Sequence, residues 1–483
     1  MAHRVRVTGT RAGIRNAYTR MPFRFGVITM RASPVLTLAV GIEDDRGRRA
    51  TGYAADFLAF RWFDKRPEKS LADNCADLIR SVATASRLYR DAGAGAPFDL
   101  FMATYPEIER EELAAGFNRL GASFGSSMLE RGVIDALGRL LGKPFFELVR
   151  DDHLGIDLGT ITPELEGLPV GDFLPPAPRP RLHVRHTVGL VDPITPADPH
   201  EPVDDGLPVT LEDYLRHDGI GYLKIKVGGD LDADLARLEA IAGVMYRVRA
   251  AYGISLDGNE QYKAVAPFQE LVERIKTSPS LGRFWRDVLF IEQPLERSIA
   301  MDPGVADDIT RLNAEKPVII DEADGWLTAF RDATRLGYRG TSHKNCKGIY
   351  KSLHNLALAR THNARVGREE WFLSAEDLTN LPVVPLQADL ASVALLGIDH
   401  VERNGHHYFR GLGHLPDAEK AAALEAHPDL YERTGGEVFL RVRDGVLACG
   451  SLQCPGMGFR ALPDLDAMTP PEDWDFASLG QEA

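Results

Sequence analysis

The chain has 483 residues, which suits a barrel-sized domain plus a second domain, and 44% of them are apolar, so a large core can form. A formal net charge of −14 and a pI near 5.5 argue against a nucleic-acid partner and favour a soluble protein. The four cysteines form no Cys-x-x-Cys pair, which favours a reducing, cytoplasmic location, and the chain has no apolar run of the roughly 18 residues that a membrane span needs.

The first part of the chain predicts strands and then helices. Arg4-Val5-Arg6-Val7 alternates polar and apolar residues like a strand, and Asp44-Asp45-Arg46-Gly47 marks a turn between two later strands. Residues 70–150 predict helices, the clearest of which covers residues 125–144 and stops at Gly142. These elements together predict an α+β domain.

A proline-rich connector at 174–180 ends this N-terminal region, which we place at residues 1–181. Beyond it, strand-like runs alternate with helical patterns over roughly 220 residues, the size of a TIM-type barrel. The strand candidates are 182–190, 222–227, 254–257, 288–292, 318–321, 341–344, 371–375 and a run near 397–401. We therefore expect a barrel over residues 182–429 and a C-terminal segment, 430–483, that returns to the N-terminal domain.

Five charged residues fall at the ends of five successive strand candidates. They are Lys226, Asp257, Glu292, Asp321 and Lys344, separated by 31, 35, 29 and 23 residues on subtraction of their numbers. Each separation is near the length of one strand–loop–helix–loop unit. Because the C-terminal ends of barrel strands converge on the face where active sites form, these side chains are expected to meet.

The three carboxylates predict a metal site. Asp257, Glu292 and Asp321 are hard oxygen ligands that suit one Mg²⁺ per site, with Mn²⁺ as an alternative. Without a cation their repulsion and desolvation would cost on the order of several kcal/mol. A divalent cation also stabilises the enediolate formed when the proton next to a carboxylate is removed. The base must then be neutral, and Lys224, on the same strand face as Lys226, is expected to lower the pKa of Lys226.

This ordered set of motifs resembles that of the enolase superfamily, in its muconate lactonizing enzyme and mandelate racemase-like branch. The matching segments are Lys224-Ile225-Lys226, Asp257-Gly258-Asn259, Glu292-Gln293-Pro294, Asp321-Glu322 and Lys344. Residues 136–149 and 443–459 resemble the end of the family's capping domain and its C-terminal strand pair. The resemblance implies an α/β fold: a modified TIM barrel of the (β/α)₇β type, with an α+β capping domain formed by the N-terminal region and the C-terminal tail.

The resemblance also implies roles for individual residues. Asp257, Glu292 and Asp321 would bind Mg²⁺, and Lys226 and Lys344 would be bases on opposite faces of a small carboxylate substrate. Two opposed bases imply a racemase or epimerase, whereas the same site with other base usage would serve an acid-sugar dehydratase or a cycloisomerase. The residues expected to contact the substrate are Lys224, Asn259 and Glu376.

Several alternatives stay open. Lys347 is a rival to Lys344, because the Gly-Gly that often follows the sixth-strand lysine is absent. The segment from Ile398 to Glu402 lacks the Asp-x-Asp of dipeptide epimerases, so dipeptide specificity is not supported, and the pair His406-His407 could line the pocket or the surface. A catalytically inactive metal-binding barrel and metal-assisted hydrolysis are the alternatives of another class. A homo-oligomer without nucleic-acid or membrane partners is expected.

Overall fold

The structure is a computed structural model that describes residues 2–25 and 28–480. It begins with an antiparallel sheet in the order β3-β2-β1-β4. The strands are β1 (Val5–Phe25), β2 (Ile28–Asp44), β3 (Arg49–Phe57) and β4 (Ala94–Gly95). Val5 and Val7 are buried between exposed arginines, as the alternation predicts, and Gly47 takes a left-handed φ of 74° in the turn between β2 and β3.

Five helices complete the N-terminal α+β layer. They are α1 (Leu71–Asp91), α2 (Pro97–Ala114), α3 (Arg119–Ala122), α4 (Phe124–Leu141) and α5 (Phe145–Arg150). The long helices α1, α2 and α4 pack on the sheet. Helix α4 ends at the predicted Gly142, whose φ of 66° permits a left-handed cap. It lies so close to β3 that a Cβ on Gly52 would be 2.2 Å from the backbone nitrogen of Ala136.

The middle of the chain forms a curled parallel sheet surrounded by helices. Its elements are β5 (Arg181–Val188), α6 (Leu211–His217), β6 (Tyr222–Lys226), α7 (Leu231–Val248), β7 (Gly253–Asp257), α8 (Val265–Thr277), α9 (Gly282–Asp287), β8 (Val288–Glu292), α10 (Arg297–Ala300), α11 (Ala306–Glu315), β9 (Val318–Ile320), α12 (Ala329–Arg335), β10 (Gly340–His343), α13 (Ile349–Val366), β11 (Phe372–Ala375), α14 (Val384–Leu396) and β12 (His400–Arg403). The strand order is β11-β10-β9-β8-β7-β6-β5-β12. Each predicted strand overlaps one of these, and helices in all seven connections give the predicted (β/α)₇β form within the described residues.

The last part of the chain contacts both layers. It contains α15 (Gly405–Tyr408), α16 (Asp417–Ala426), β13 (Tyr431–Thr434), β14 (Glu437–Leu440) and β15 (Val446–Ala448). Strand β15 pairs antiparallel with β5, and the backbone N–H of Met457 then donates to Asp135 of α4 at 2.8 Å. Thr469 pairs with Ile14 of β1. These contacts agree with a C-terminal segment that returns to the N-terminal domain, while the division at residues 181 and 429 stays a prediction. No helix in the described ranges is both long and apolar enough to cross a membrane.

Candidate active site

The five charged residues predicted from strand ends lie together. Lys226, Asp257 and Glu292 are the last residues of β6, β7 and β8, and the in-register pairing of these strands sets them side by side. Asp321 and Lys344 directly follow β9 and β10. All five side chains are buried at the C-terminal end of the parallel sheet. The predicted convergence at one end of the barrel is therefore present.

Lys224 lies at the centre of this charged cluster. Its ammonium contacts four carboxylates: Glu292 at 2.7 Å, Glu376 at 2.8 Å, Glu402 at 3.2 Å and Asp257 at 3.2 Å. Burial opposes the charge, but the carboxylates outweigh burial and raise the pKa of Lys224 well above its usual value. Lys224 is therefore a fixed cation in the floor of the site.

Asp321 is held by several donors. Its carboxylate lies 3.3 Å from the Lys344 ammonium, accepts a hydrogen bond from Lys347 at 2.8 Å and accepts another from the Ser342 hydroxyl. Gln293, the middle residue of the Glu-Gln-Pro motif, accepts the backbone N–H of Asp321 at 2.7 Å. Burial raises the pKa of Asp321, but Lys344 and Lys347 outweigh burial and hold it below its usual value. This carboxylate therefore stays ionised.

Lys344 and Lys347 differ in what surrounds their ammonium groups. Lys344 lines the cavity described below, whereas Lys347 donates to two oxygens of Asp321 and two of Ser342 within 3.2 Å and is not on the cavity wall. The geometry therefore favours Lys344 as the residue that reaches a substrate. Burial lowers the pKa of Lys344, but the carboxylates of Asp321, Glu376 and Glu402 together outweigh burial and raise it, the opposite of the lowering expected for a lysine base.

The residues predicted to contact a substrate take different positions. Lys224 and Asn259 line the cavity, and the backbone N–H of Asn259 donates to Asp257 at 2.6 Å. Glu376 is completely buried and accepts hydrogen bonds from Lys224 and Arg185. Its carboxylate supports Lys224 and does not form part of the cavity wall, so a substrate contact by Glu376 stays a prediction.

A cavity of about 620 Å³, including its open mouth, lies over the lysines. Its charged and polar floor includes Lys224, Lys226, Asn259, Asp321, Lys344 and Glu402. The N-terminal layer contributes an apolar roof of Phe23, Met30, Phe57, Phe60 and Trp62. The Trp62 ring centroid lies 5.5 Å from the Lys344 ammonium, within the range of a cation–π contact. The cavity therefore has lysine ammonium groups on its floor and aromatic side chains in its roof.

Arg297 and Lys65 attach the segment that carries Trp62 to the barrel. Arg297, at the start of α10, donates to the carbonyl oxygens of Trp62 at 2.9 Å and Phe63 at 3.0 Å. The same guanidinium binds both carboxylate oxygens of Glu260 at 2.7 and 2.8 Å, and Glu260 also accepts from Lys65. The roof of the cavity is thus fixed to loops that follow β7 and β8.

The carboxylates fit a divalent metal. Asp257, Glu292 and Asp321 supply the oxygen donors that Mg²⁺ prefers, and they act electrostatically on one another. The Oε2 atom of Glu292 is buried without a hydrogen-bond partner within the described residues. Burial, and then the Glu376 carboxylate, raise the pKa of Glu292 well above its usual value. A cation would satisfy this oxygen, although the lysines already offset much of the repulsion that the sequence alone predicts.

Two charged residues of the site were not found from the sequence. Glu402, near the end of β12, accepts from Lys224 at 3.2 Å and from Thr187 at 2.6 Å. Arg185 of β5 is completely buried and donates to Glu376 and to Ser374. Arg185 lies in the strand candidate 182–190 and Glu402 directly follows the candidate near 397–401, so a charged residue in or beside a strand was the pattern that could have revealed them.

The fold and the site define a class of protein: a (β/α)₇β barrel under an α+β cap, with charged side chains at the strand ends. Solved structures of the enolase superfamily share this fold. An enolase from Bradyrhizobium complexed with magnesium and mandelic acid is 18% identical, covers 95% of this chain and 97% of its own, and gives a TM-score of 0.56. A muconate lactonizing enzyme from Pseudomonas fluorescens complexed with muconolactone is 17% identical, with coverage of 95% and 97% and a TM-score of 0.57.

A dipeptide epimerase from Enterococcus faecalis complexed with Mg and L-Leu-L-Tyr is 14% identical, with coverage of 94% and 99% and a TM-score of 0.56. No protein-family model matches the chain. No curated protein matches it in sequence. At these identities the likeness shows that the chain has the enolase-superfamily fold, as the motifs predicted.

Proposed function

We propose that this protein is a Mg²⁺-dependent enzyme that removes the proton next to the carboxylate of a small acid, in the manner of a racemase or epimerase. The observation that carries the proposal is the position of Lys226 and Lys344, which line one cavity at the end of the barrel above Asp257, Glu292 and Asp321. Structures of the same fold that contain magnesium and mandelic acid, or Mg and a dipeptide, support this class of reaction.

In this proposal the carboxylates bind the metal and the lysines transfer the proton. Asp257, Glu292 and Asp321 would hold Mg²⁺, which when bound supplies positive charge for the two oxygens of the enediolate. Lys226 and Lys344 would move the α-proton, because each reaches the cavity and each has one carboxylate partner, at 3.0 and 3.3 Å respectively. Removal by one lysine and return by the other would invert the carbon.

The charge of the site suits this step. The carboxylates are Asp257, Glu292, Asp321, Glu376 and Glu402, and the cations are Lys224, Lys226, Lys344, Lys347 and Arg185. Counted as ionised, the five of each sign cancel. With one lysine neutral, a divalent cation and a monoanionic acid bring the total to zero, and the total is unchanged when the proton moves to that lysine. The buried site would therefore avoid the cost of creating net charge.

The cavity suggests the kind of acid that binds. The carboxylate would lie on the charged floor, while Phe23, Phe57, Phe60 and Trp62 would pack on an apolar substituent. An acid with an aromatic or aliphatic group on the α-carbon therefore fits better than a fully hydroxylated sugar acid. The use of a single base for dehydration or cycloisomerisation is the alternative on the same site.

The test is hydrogen exchange at the α-carbon. The Mg²⁺-loaded protein is incubated in D₂O with arylacetic, N-acylated amino, aliphatic and sugar acids, and deuterium at the α-carbon is followed by proton NMR. We expect exchange with at least one acid that carries an apolar substituent. Absence of exchange across the panel, with Mg²⁺ binding established by calorimetry, would favour an inactive metal-binding barrel.

A further inference from the structure

Three histidines cluster outside the cavity just described. His186 is on β5, where its neighbours Arg185 and Thr187 contact Glu376 and Glu402 in the barrel interior, so His186 lies on the outer face of the strand. His406 and His407 belong to α15, directly after β12, the strand that pairs with β5. One ring nitrogen from each histidine lies within 4.8 Å of those of the other two. The histidine cluster therefore lies beside β5 and the end of β12, which are the first and last strands of the barrel in chain order.

Three ring nitrogens of the histidine cluster are buried without a hydrogen-bond partner in the described part of the chain. His407 is 2% exposed, and neither of its ring nitrogens has a hydrogen-bond partner in the described part of the chain. Nδ1 of His406 is also buried without a partner within residues 2–25 and 28–480. A buried polar group left without a partner destabilises the folded protein, because it has lost its hydrogen bonds to water. A ligand that accepts the lone pairs of these nitrogens, such as a metal ion, would therefore stabilise the cluster.

The spacing suits a metal ion with nitrogen ligands. Two nitrogens bound at about 2.0–2.1 Å to a tetrahedral Zn²⁺ stand about 3.3 Å apart, and Nδ1 of His186 lies 3.2 Å from Nε2 of His406. The other separations, up to 4.8 Å, would close by at most about 1.5 Å. Rotation about χ2, which is a soft torsion in histidine, moves ring nitrogens in this way.

We propose that His186, His406 and His407 form a second metal site, selective for a divalent cation that prefers imidazole ligands, with Zn²⁺ as the first candidate. Three neutral imidazoles suit Zn²⁺ and its transition-metal neighbours and are poor ligands for Mg²⁺. The site is separate from the carboxylate site and does not depend on the proposed function.

The surroundings offer a fourth ligand and a route of entry. His186 and His407 line a small cavity together with Asp192, and a water molecule there would complete a tetrahedron. His406 also lines a larger, open cavity of about 1280 Å³, from which an ion can enter. The Arg20 guanidinium is nearby, but its charge is offset by Asp205 through hydrogen bonds of 2.6 and 2.8 Å.

The first test is a Zn²⁺ titration of the purified full-length protein in saturating Mg²⁺, with a chelator competition for the affinity. We expect one bound equivalent of Zn²⁺, retained in Glu292→Gln, because that variant disturbs only the carboxylate site. His406→Ala should weaken Zn²⁺ binding at least tenfold. The matched control, His362→Ala, changes a half-buried histidine of α13 beside Trp371 and should leave binding unchanged.

The second test needs no variant. X-ray absorption at the zinc edge of the wild-type protein should give a nitrogen shell near 2.0–2.1 Å with the outer-shell scattering of imidazole rings. A shell of oxygens alone, the absence of a bound equivalent, or equal Zn²⁺ affinity in wild type and His406→Ala would each overturn the proposal. If His406→Ala does not fold, the wild-type spectrum decides.

Discussion

The lysines on the cavity floor differ in how many carboxylates surround them. Lys224 has four carboxylates within 3.2 Å, whereas Lys226 has Asp257 and Lys344 has Asp321. An ammonium held by four anions gives up its proton with difficulty. Lys224 therefore fits a fixed cation, and the proposed function assigns proton transfer to Lys226 and Lys344, which have fewer carboxylates around them.

The two proposed bases can be separated by stereochemistry. Lys226→Ala and Lys344→Ala should each lose α-proton exchange with one enantiomer of a substrate by roughly 100-fold or more, the usual contribution of a general base, and keep exchange with the other. Exchange of each pure enantiomer in D₂O is followed by NMR, and each variant serves as the control for the other. If both variants lost exchange equally with both enantiomers, the two lysines would not act as bases on opposite faces of the substrate.

Glu292 offers a direct test of the metal site. Glu292→Gln removes the charge from a carboxylate whose Oε2 is buried without a partner, so Mg²⁺ affinity should fall at least about 100-fold, the upper range seen for residues that only support metal ligands. Titration calorimetry gives the affinity. Glu322→Gln is the matched control, since Glu322 follows Asp321 and accepts from Asn259 at 3.3 Å, and it should change the affinity less than tenfold. If the two variants lowered the Mg²⁺ affinity equally, Glu292 would not be a specific ligand and the metal would bind elsewhere.

At the scale of elements, helix α4 depends on glycine for its distance from β3. A Cβ on Gly52 would lie 2.2 Å from the backbone nitrogen of Ala136 and 2.3 Å from the carbonyl oxygen of Gly132. These backbone atoms cannot move without shifting the helix. Gly52→Ala should therefore lower the free energy of unfolding by about 1–3 kcal/mol, as overpacking does. Gly9→Ala, where no atom lies within 4 Å of the added Cβ, is the control. Urea denaturation measures both, and equal midpoints would contradict the close packing.

Helix α4 also carries a carboxyl group that reaches the barrel. Glu130 accepts the backbone N–H of Ile349, the first residue of α13, shortly after Lys344. Burial raises the pKa of Glu130 from 4.5 to about 8, so the folded protein favours the protonated acid. The stability that this group contributes is complete below pH 4.5 and is lost as the pH rises through about 8.

Glu130→Gln should remove this dependence on pH, because the amide cannot ionise. The unfolding free energy of the wild type, relative to Glu130→Gln, should therefore fall between pH 5 and pH 9. Denaturant titrations at several pH values measure the difference. A constant difference across this range would show that the carboxyl group of Glu130 does not titrate with a raised pKa.

At the scale of the whole molecule, the cavity exists only where the two layers meet. The barrel supplies its charges, the N-terminal layer supplies its aromatic rings, and Arg297 ties them together. Arg297→Met should release the segment that carries Trp62 and raise KM roughly tenfold with a smaller change in kcat, because the roof binds substrate and transition state alike. Steady-state kinetics on an acid from the exchange panel tests this.

Arg311→Met is the control for this prediction, since Arg311 is an exposed arginine on α11 that pairs with Asp308. It should leave both constants unchanged. A wild-type KM in Arg297→Met would mean that the roof keeps its position without the arginine, or that it does not touch the substrate.

The sequence by itself determined the barrel and the order of the charged residues at its strand ends. Repeating strand–helix units place Lys226, Asp257, Glu292, Asp321 and Lys344 at consecutive strand ends, and local hydrophobic periodicity is enough to locate those strands. The same reasoning located α4 and its end at Gly142, because helix stops are local features. The domain limits, a homo-oligomer and a cytoplasmic location stay predictions.

Only the tertiary structure decided which charges neutralise one another. Lys224 and Glu402 are 178 residues apart, and His186 and His406 are 220 apart, yet each pair is in contact because β5 and β12 lie side by side. The burial of Glu376 behind Lys224 and the aromatic roof have the same origin. Such contacts depend on how the sheet curls and how the two layers dock. The local pattern of residues predicts neither of these, because both arise from contacts between segments far apart in the chain.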